Sequence, residues 1–156
     1  LKLIDSQYLF THQHFANRDE ALTALASALT QGGRVKDSYQ KAIFDREAIF
    51  PTGLPTGKIG VAIPHADSQH VNQSTIAVAT LNHPVTFQNM GDPDSTVDVS
   101  IIIMLAIAEP KGQITMLQKL MSIVQNQEHL DQLLHYDQIS ALQTDLEQTF
   151  AGIQLA

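Results

Sequence analysis

Residues 101 to 108 read Ile-Ile-Ile-Met-Leu-Ala-Ile-Ala, eight apolar positions without a break. Such a run has no polar face, so it has to be covered on both sides. The central strand of a sheet with helices on each face reads this way, although periodicity alone would also fit a buried helix. The run is too short for the roughly 18 residues of a membrane span. We take 97–108 as a strand at the sheet centre.

The flanking segments supply the layers. Asn17-Arg18-Asp19-Glu20 is a helix entrance, with an N-cap residue, acids in the first turn and Glu20 at the capping-box position. Ala21, Leu22, Leu25, Ala28 and Leu29 follow at helical spacing, and Gly32-Gly33 ends the helix. A second helix is predicted over 38–50, with Tyr39, Ala42, Ile43 and Phe50 on its apolar face. The segment 51–57 is punctuated by Pro and Gly and reads as a loop, and 59–63 reads as a short strand that Pro64 ends. Strands are predicted at 75–81 and 85–87, with loops at 82–84 and 89–96. Helices are predicted at 113–124, 128–136 and 138–150, the first with Ile114, Leu117, Leu120, Met121 and Val124 on one face. The expected fold class is α/β, a layered domain with a mixed β-sheet flanked by helices on both faces. No repeat, low-complexity tract or linker interrupts the chain, so 1–156 is read as a single domain.

Composition narrows the function. An apolar fraction of 44% and a charged fraction of 16% suit a globular chain. There is no cysteine, which removes disulfides, thiolate nucleophiles and cysteine metal sites. The net charge of -7 opposes nonspecific attraction to nucleic acid or anionic lipid, leaving a protein or small molecule as partner. No secretory start or membrane-length stretch is seen, so neither membrane insertion nor export is expected, and the location reads as cytoplasmic.

The most specific stretch is Ile59-Gly60-Val61-Ala62-Ile63-Pro64-His65-Ala66. It places a histidine at the exit of a buried strand, with Pro64 fixing the approach and small Ala66 leaving room beside the ring. A histidine held that rigidly keeps one face open to a partner, the alternative being a capping or core histidine.

Residues 46 to 66, Arg-Glu-Ala-Ile-Phe-Pro-Thr-Gly and then Gly-Val-Ala-Ile-Pro-His-Ala, resemble the active-site signature of the fructose/mannitol class of IIA components (EIIA type-2) of the bacterial sugar phosphotransferase system. Pro84-Val85-Thr86-Phe87, Met90-Gly91-Asp92 and 97–105 extend the resemblance, which covers about Arg46 to Val124. Phe50-Pro51-Thr52-Gly53 and the His65/His70 spacing are closest to the galactitol branch. The resemblance implies a relay in which phospho-HPr gives its phosphoryl group to His65, and His65 passes it to a cysteine of a IIB component. A membrane IIC component is then an indirect partner, and no cofactor or metal is implied. Imidazole suits the relay because it is nucleophilic when neutral and its P–N bond stays reactive.

Arg46, at the position of the family's arginine, suits the stabilisation of phosphoryl oxygens, since a guanidinium stays charged and grips two oxygens at once. It could otherwise be a solvated helix-end residue or a partner of Glu47. His70 is a candidate second group, able to donate to a phosphoryl oxygen. The mannitol and fructose branches carry a second active-site histidine near the position of Gln113, so either His70 substitutes for it or Gln113 acts as a neutral donor. Thr52 and Asp67 are lesser candidates, one for a hydroxyl contact and the other for orienting an imidazole.

Other features are set aside. Gly53 to Lys58 has a phosphate-loop look but the wrong spacing and a following strand. His12 and His14 lack a third metal ligand, and His83, His129 and His135 are expected to face solvent. Two further readings compete with the relay: a regulatory module of the nitrogen-related branch, switched by phosphorylation of His65, and a metal hydrolase using His65 and His70, which their spacing disfavours.

Overall fold

A computed structural model describes residues 2–153. Five strands, β1 (Leu9–Gln13), β2 (Gly53–Leu54), β3 (Gly60–Ala62), β4 (Thr75–Asn89) and β5 (Asp92–Ala106), form one mixed sheet. Five helices accompany them: α1 (Arg18–Gln31), α2 (Tyr39–Ile49), α3 (Pro110–Ile123), α4 (Gln127–His135) and α5 (Ile139–Thr149). The layered α/β architecture expected from the sequence is the one observed.

The apolar run forms the strand that organises the sheet. β5 is antiparallel to β4 on one side and parallel to β3 on the other, so its apolar half is paired on both edges. Its side chains alternate between two cores. Ile102, Met104 and Ala106 join Leu22, Leu25, Leu29, Tyr39 and Ile43 under α1 and α2. Ile101, Ile103 and Leu105 join Leu120, Leu130, Leu133, Leu142 and Leu146 under α3, α4 and α5. Each fully buried aliphatic side chain contributes about 1.5–3 kcal/mol, so this strand stabilises both layers at once. The entrance to α1 is as read: the Asn17 side chain accepts the Glu20 N–H at 2.9 Å, and Gly33 turns the chain out at φ 73°.

Four expectations are corrected. The links at 82–84 and 89–96 are not loops: β4 runs on through Asn82-His83-Pro84 with a break in register, and β5 begins at Asp92. The ladder to the partner strand outweighs local turn chemistry, and the hairpin turns in two residues, Met90-Gly91. Within 51–57, Gly53–Leu54 is a strand that pairs with β3 and touches β4. Gly53 is needed there, because a Cβ would lie 2.6 Å from the Gln88 carbonyl oxygen. In α2 the buried face is Tyr39, Ile43 and Glu47, while Phe50, expected inside, is 59% exposed. In α3 the buried face is Met116, Leu120 and Ile123, and Ile114 and Met121 point outward.

Candidate active site

His65 sits where β3 has run out but its neighbour has not. It makes an isolated parallel bridge to Leu105 of β5, and the Leu105 N–H donates to the Pro64 carbonyl at 2.9 Å. Its ring is fixed as well as its backbone. The Nδ1 lies 2.8 Å from the Ile63 carbonyl oxygen, and since a carbonyl only accepts, Nδ1 carries the proton. The lone pair is therefore on Nε2. The residue is mostly buried, and burial lowers its pKa; the Ile63 bond and Asp67 oppose the shift, while Arg46 adds to it. The imidazole is thus held neutral, the nucleophilic form.

Burial does not close the ring off. His65 lines a cavity of about 510 Å3 together with Arg46, Ile49, Phe50, Thr52, Met90 and Met121, among others. It also lines a second one of about 310 Å3 with Arg46, Asp67, Pro110 and Gln113. Arg46 borders both. It comes from the last turn of α2, its guanidinium stacks over the Phe50 ring at 5.2 Å, and Nη1 lies 3.9 Å from an Asp67 carboxylate oxygen. Its Nε is buried with no hydrogen-bond partner among the described residues. A buried charged donor without an acceptor is costly, and an anionic ligand in the cavity would satisfy it.

Glu47 is not the partner of Arg46. It points the other way, into the protein, where its carboxylate accepts the N–H and the hydroxyl of Thr52 at 2.7 and 2.8 Å. The Thr52 hydroxyl therefore donates to Glu47, although the residue also borders the His65 cavity. Asp67 does not orient the imidazole, because the Ile63 carbonyl does so.

The two candidates for a second group are separated. Gln113 shares a cavity with His65 and Arg46, and its Nε2 donates to the Ala66 carbonyl at 2.9 Å. Its Oε1 is buried and unpartnered among the described residues. His70 lies in a short 3-10 turn, within hydrogen-bond reach of Ser38 Oγ through Nδ1. It lines a third cavity, of about 300 Å3, with Arg46, Asp67 and Ala66 but without His65. No one of these cavities is lined by both histidines, although Arg46 borders all three. Of the remaining histidines, His12 pairs with Asp137 at 2.8 Å, and His129, expected to face solvent, is half-buried against Asp145 at 2.7 Å.

Around the mouth of the cavity of about 510 Å3 the surface is apolar. Ile49 is 69% exposed, Phe50 59% and Met121 40%, with Met90 at the hairpin tip beside them. Sequence periodicity had assigned Phe50 and Met121 to the core. The signal that could have separated them is an excess of apolar positions, since each helix fills its buried face without them.

A sequence profile described as "Phosphoenolpyruvate-dependent sugar phosphotransferase system, EIIA 2" matches residues 2–148. The chain belongs to this EIIA type-2 family. It is 32% identical over 120 residues to the galactitol-specific EIIA component of Escherichia coli K12, covering 77% of this chain and 79% of that protein. Among solved structures, IIA mannitol of Escherichia coli has the same fold, with a TM-score of 0.74 at 21% identity, covering 97% of this chain and 100% of the other. A complex of the Escherichia coli enzyme IIA for mannitol with phosphorylated enzyme IIB is equally similar, with a TM-score of 0.74 at 20% identity over 95% of this chain and 96% of the other. EIIA type-2 members are phosphotransfer proteins. Among the described residues of this one, no helix is long and apolar enough to cross a membrane.

Proposed function

We propose that residues 1–156 act as one EIIA domain that accepts a phosphoryl group on Nε2 of His65 from phospho-HPr and passes it to a cysteine of a IIB component. The observation that carries this reading is the pairing of two groups in one cavity: an imidazole locked with its lone pair on Nε2, and a guanidinium whose buried Nε has no acceptor. In the first step the Nε2 lone pair forms a P–N bond as the donor's P–N bond breaks and its electron pair returns to the donor imidazole. In the second a thiolate forms a P–S bond and the electron pair returns to Nε2. The moving phosphoryl group needs positioning and charge stabilisation more than acid or base chemistry, and Arg46 supplies both. Gln113 borders the same space with one amide hydrogen left over, so it fits the second polar group better than His70, which lines a cavity that His65 does not.

The apolar rim of Ile49, Phe50, Met90 and Met121 would bury itself against each protein partner in turn, around a charged centre. The galactitol-specific relative supports uptake of galactitol or a related polyol or sugar, with a membrane IIC component served only through IIB. The relay places the protein in the cytoplasm, where phospho-HPr is made. The test is incubation with enzyme I, HPr and phosphoenolpyruvate, followed by peptide mass spectrometry and then addition of candidate IIB domains. Phosphate on His65 and its transfer to IIB cysteine are expected. Phosphate on another residue refutes the site. Phosphate on His65 that no IIB accepts, with phosphorylation-dependent binding to another protein, refutes the relay in favour of a regulatory switch.

A further inference from the structure

Glu47 occupies a position on α2 where an apolar residue would be ordinary. It follows Tyr39 and Ile43 at intervals of four and is only 2% exposed. Desolvating a carboxylate is costly, and burial here raises the Glu47 carboxyl above its usual range, with the bonds from Thr52 and the charge of Arg18 opposing. Both of its oxygens are nevertheless used on a single residue, Thr52, through its N–H and its hydroxyl. The Thr52 carbonyl then accepts the Ile63 N–H at 3.2 Å, and the Ile63 carbonyl accepts the His65 Nδ1–H at 2.8 Å. Two residues, Thr52 and Ile63, thus connect a buried carboxylate on the Arg46 helix to the proton on the His65 ring. The neighbouring Gly53 carbonyl, which accepts the Met90 N–H at 2.8 Å, pins the same loop from the β4 side.

We propose that Glu47 is a positioning residue of phosphoryl transfer: through Thr52 and Ile63 it fixes the carbonyl that keeps the His65 proton on Nδ1 and the lone pair on Nε2. Glu47 adjoins Arg46 in sequence, so the same anchor sets the guanidinium against the imidazole. This rests on the phosphocarrier reading for its effect on rate, but not for its effect on the ring. A free imidazole favours the opposite tautomer, with the proton on Nε2, which would block attack. Loosening the anchor therefore removes nucleophile and misplaces it at once.

The experiment pairs two readouts on the full chain: the His65 tautomer by nitrogen-15 NMR, and single-turnover uptake from phospho-HPr. Glu47→Ala should give mixed tautomers and uptake slower by about tenfold to a hundredfold, the scale of a small misplacement at a reacting centre. Glu47→Gln should recover most of both, because its amide oxygen can take the Thr52 N–H and its NH2 can donate to the Thr52 hydroxyl. Thr52→Val, which deletes one of the two bonds, should shift both readouts in the direction of Glu47→Ala but less far, and it decides the matter if Glu47→Ala does not fold. A wild-type tautomer and rate in Glu47→Ala, or in Thr52→Val where Glu47→Ala is unfolded, would overturn the proposal. So would Glu47→Gln as impaired as Glu47→Ala, since charge and not position would then matter. If wild-type protein took no phosphate on His65, the phosphocarrier reading would fail, and the tautomers would still decide the link to Glu47.

Discussion

Arg46→Ala isolates the electrostatic part of the transfer from the nucleophile. A guanidinium in hydrogen-bond contact with a phosphoryl oxygen, about 4 Å between charges at an effective dielectric constant near 20, is worth about 4 kcal/mol per unit charge. Two features of the site reduce that figure. The Arg46 side chain is 36% exposed, so solvent screens it, and the Asp67 carboxylate 3.9 Å away competes for it. A loss of about 2.7 kcal/mol is then the reasonable expectation, near the low end for removing one preorganised donor, which slows transfer about a hundredfold. Stability should hardly change, because the stacking on Phe50 at an exposed site is worth about 0.5–1 kcal/mol. Quench-flow uptake from radiolabelled phospho-HPr measures the step, with thermal unfolding alongside. Asp67→Asn serves as the opposite control and should be no slower than wild type. Wild-type uptake in Arg46→Ala would refute the role of the guanidinium, and a slowing matched in full by lost stability would refute the electrostatic account.

Three further outcomes are expected. Because burial lowers the His65 pKa, the ring should titrate by NMR below the ordinary histidine value of about 6.5. The unfolded chain then binds the extra proton first, so the stability His65 contributes is present above about 6.5 and lost as pH falls through its folded value. A midpoint at or above 6.5 contradicts this. Ile49→Ala at the cavity mouth should raise KM for phospho-HPr with kcat unchanged. At 69% exposure it has most of a side chain left to bury, about 1 kcal/mol or roughly fivefold, and an unchanged KM would place docking elsewhere. His70→Ala should leave uptake within about twofold, a change of some 0.5 kcal/mol, since its ring borders a cavity that His65 does not reach; a loss of two decades would return it to the site.

What could be read from the sequence was what local chemistry decides. The 101–108 run, the Asn17 entrance to α1 and the proline that delivers His65 each carry their reason within a few residues. The parts missed depend on groups far apart in the chain. β2 is two residues long and exists because β3 and the end of β4 flank it. Asn82-His83-Pro84 and Asp92 to Thr96 have turn composition, yet the ladder that resumes on either side of the unpaired residues keeps both within strands. From the sequence Glu47 is only a candidate partner of Arg46, and its burial against Thr52 depends on a loop that folds back onto the helix end. Phe50, Ile114 and Met121 counted as core because periodicity measures apolarity and not which layer is already full.

The Leu105 bond to Pro64 ties the turn that carries His65 to the strand shared by both cores. That strand can open only when both layers come apart, so its backbone amides should exchange with deuterium at the rate of global unfolding. The backbone that carries the His65 ring is thus tied directly to the strand on which both cores pack. On the proposed relay, adjustment to two differently shaped proteins would have to come from the side chains at the cavity mouth, so partner choice and chemistry could drift apart in evolution without disturbing one another.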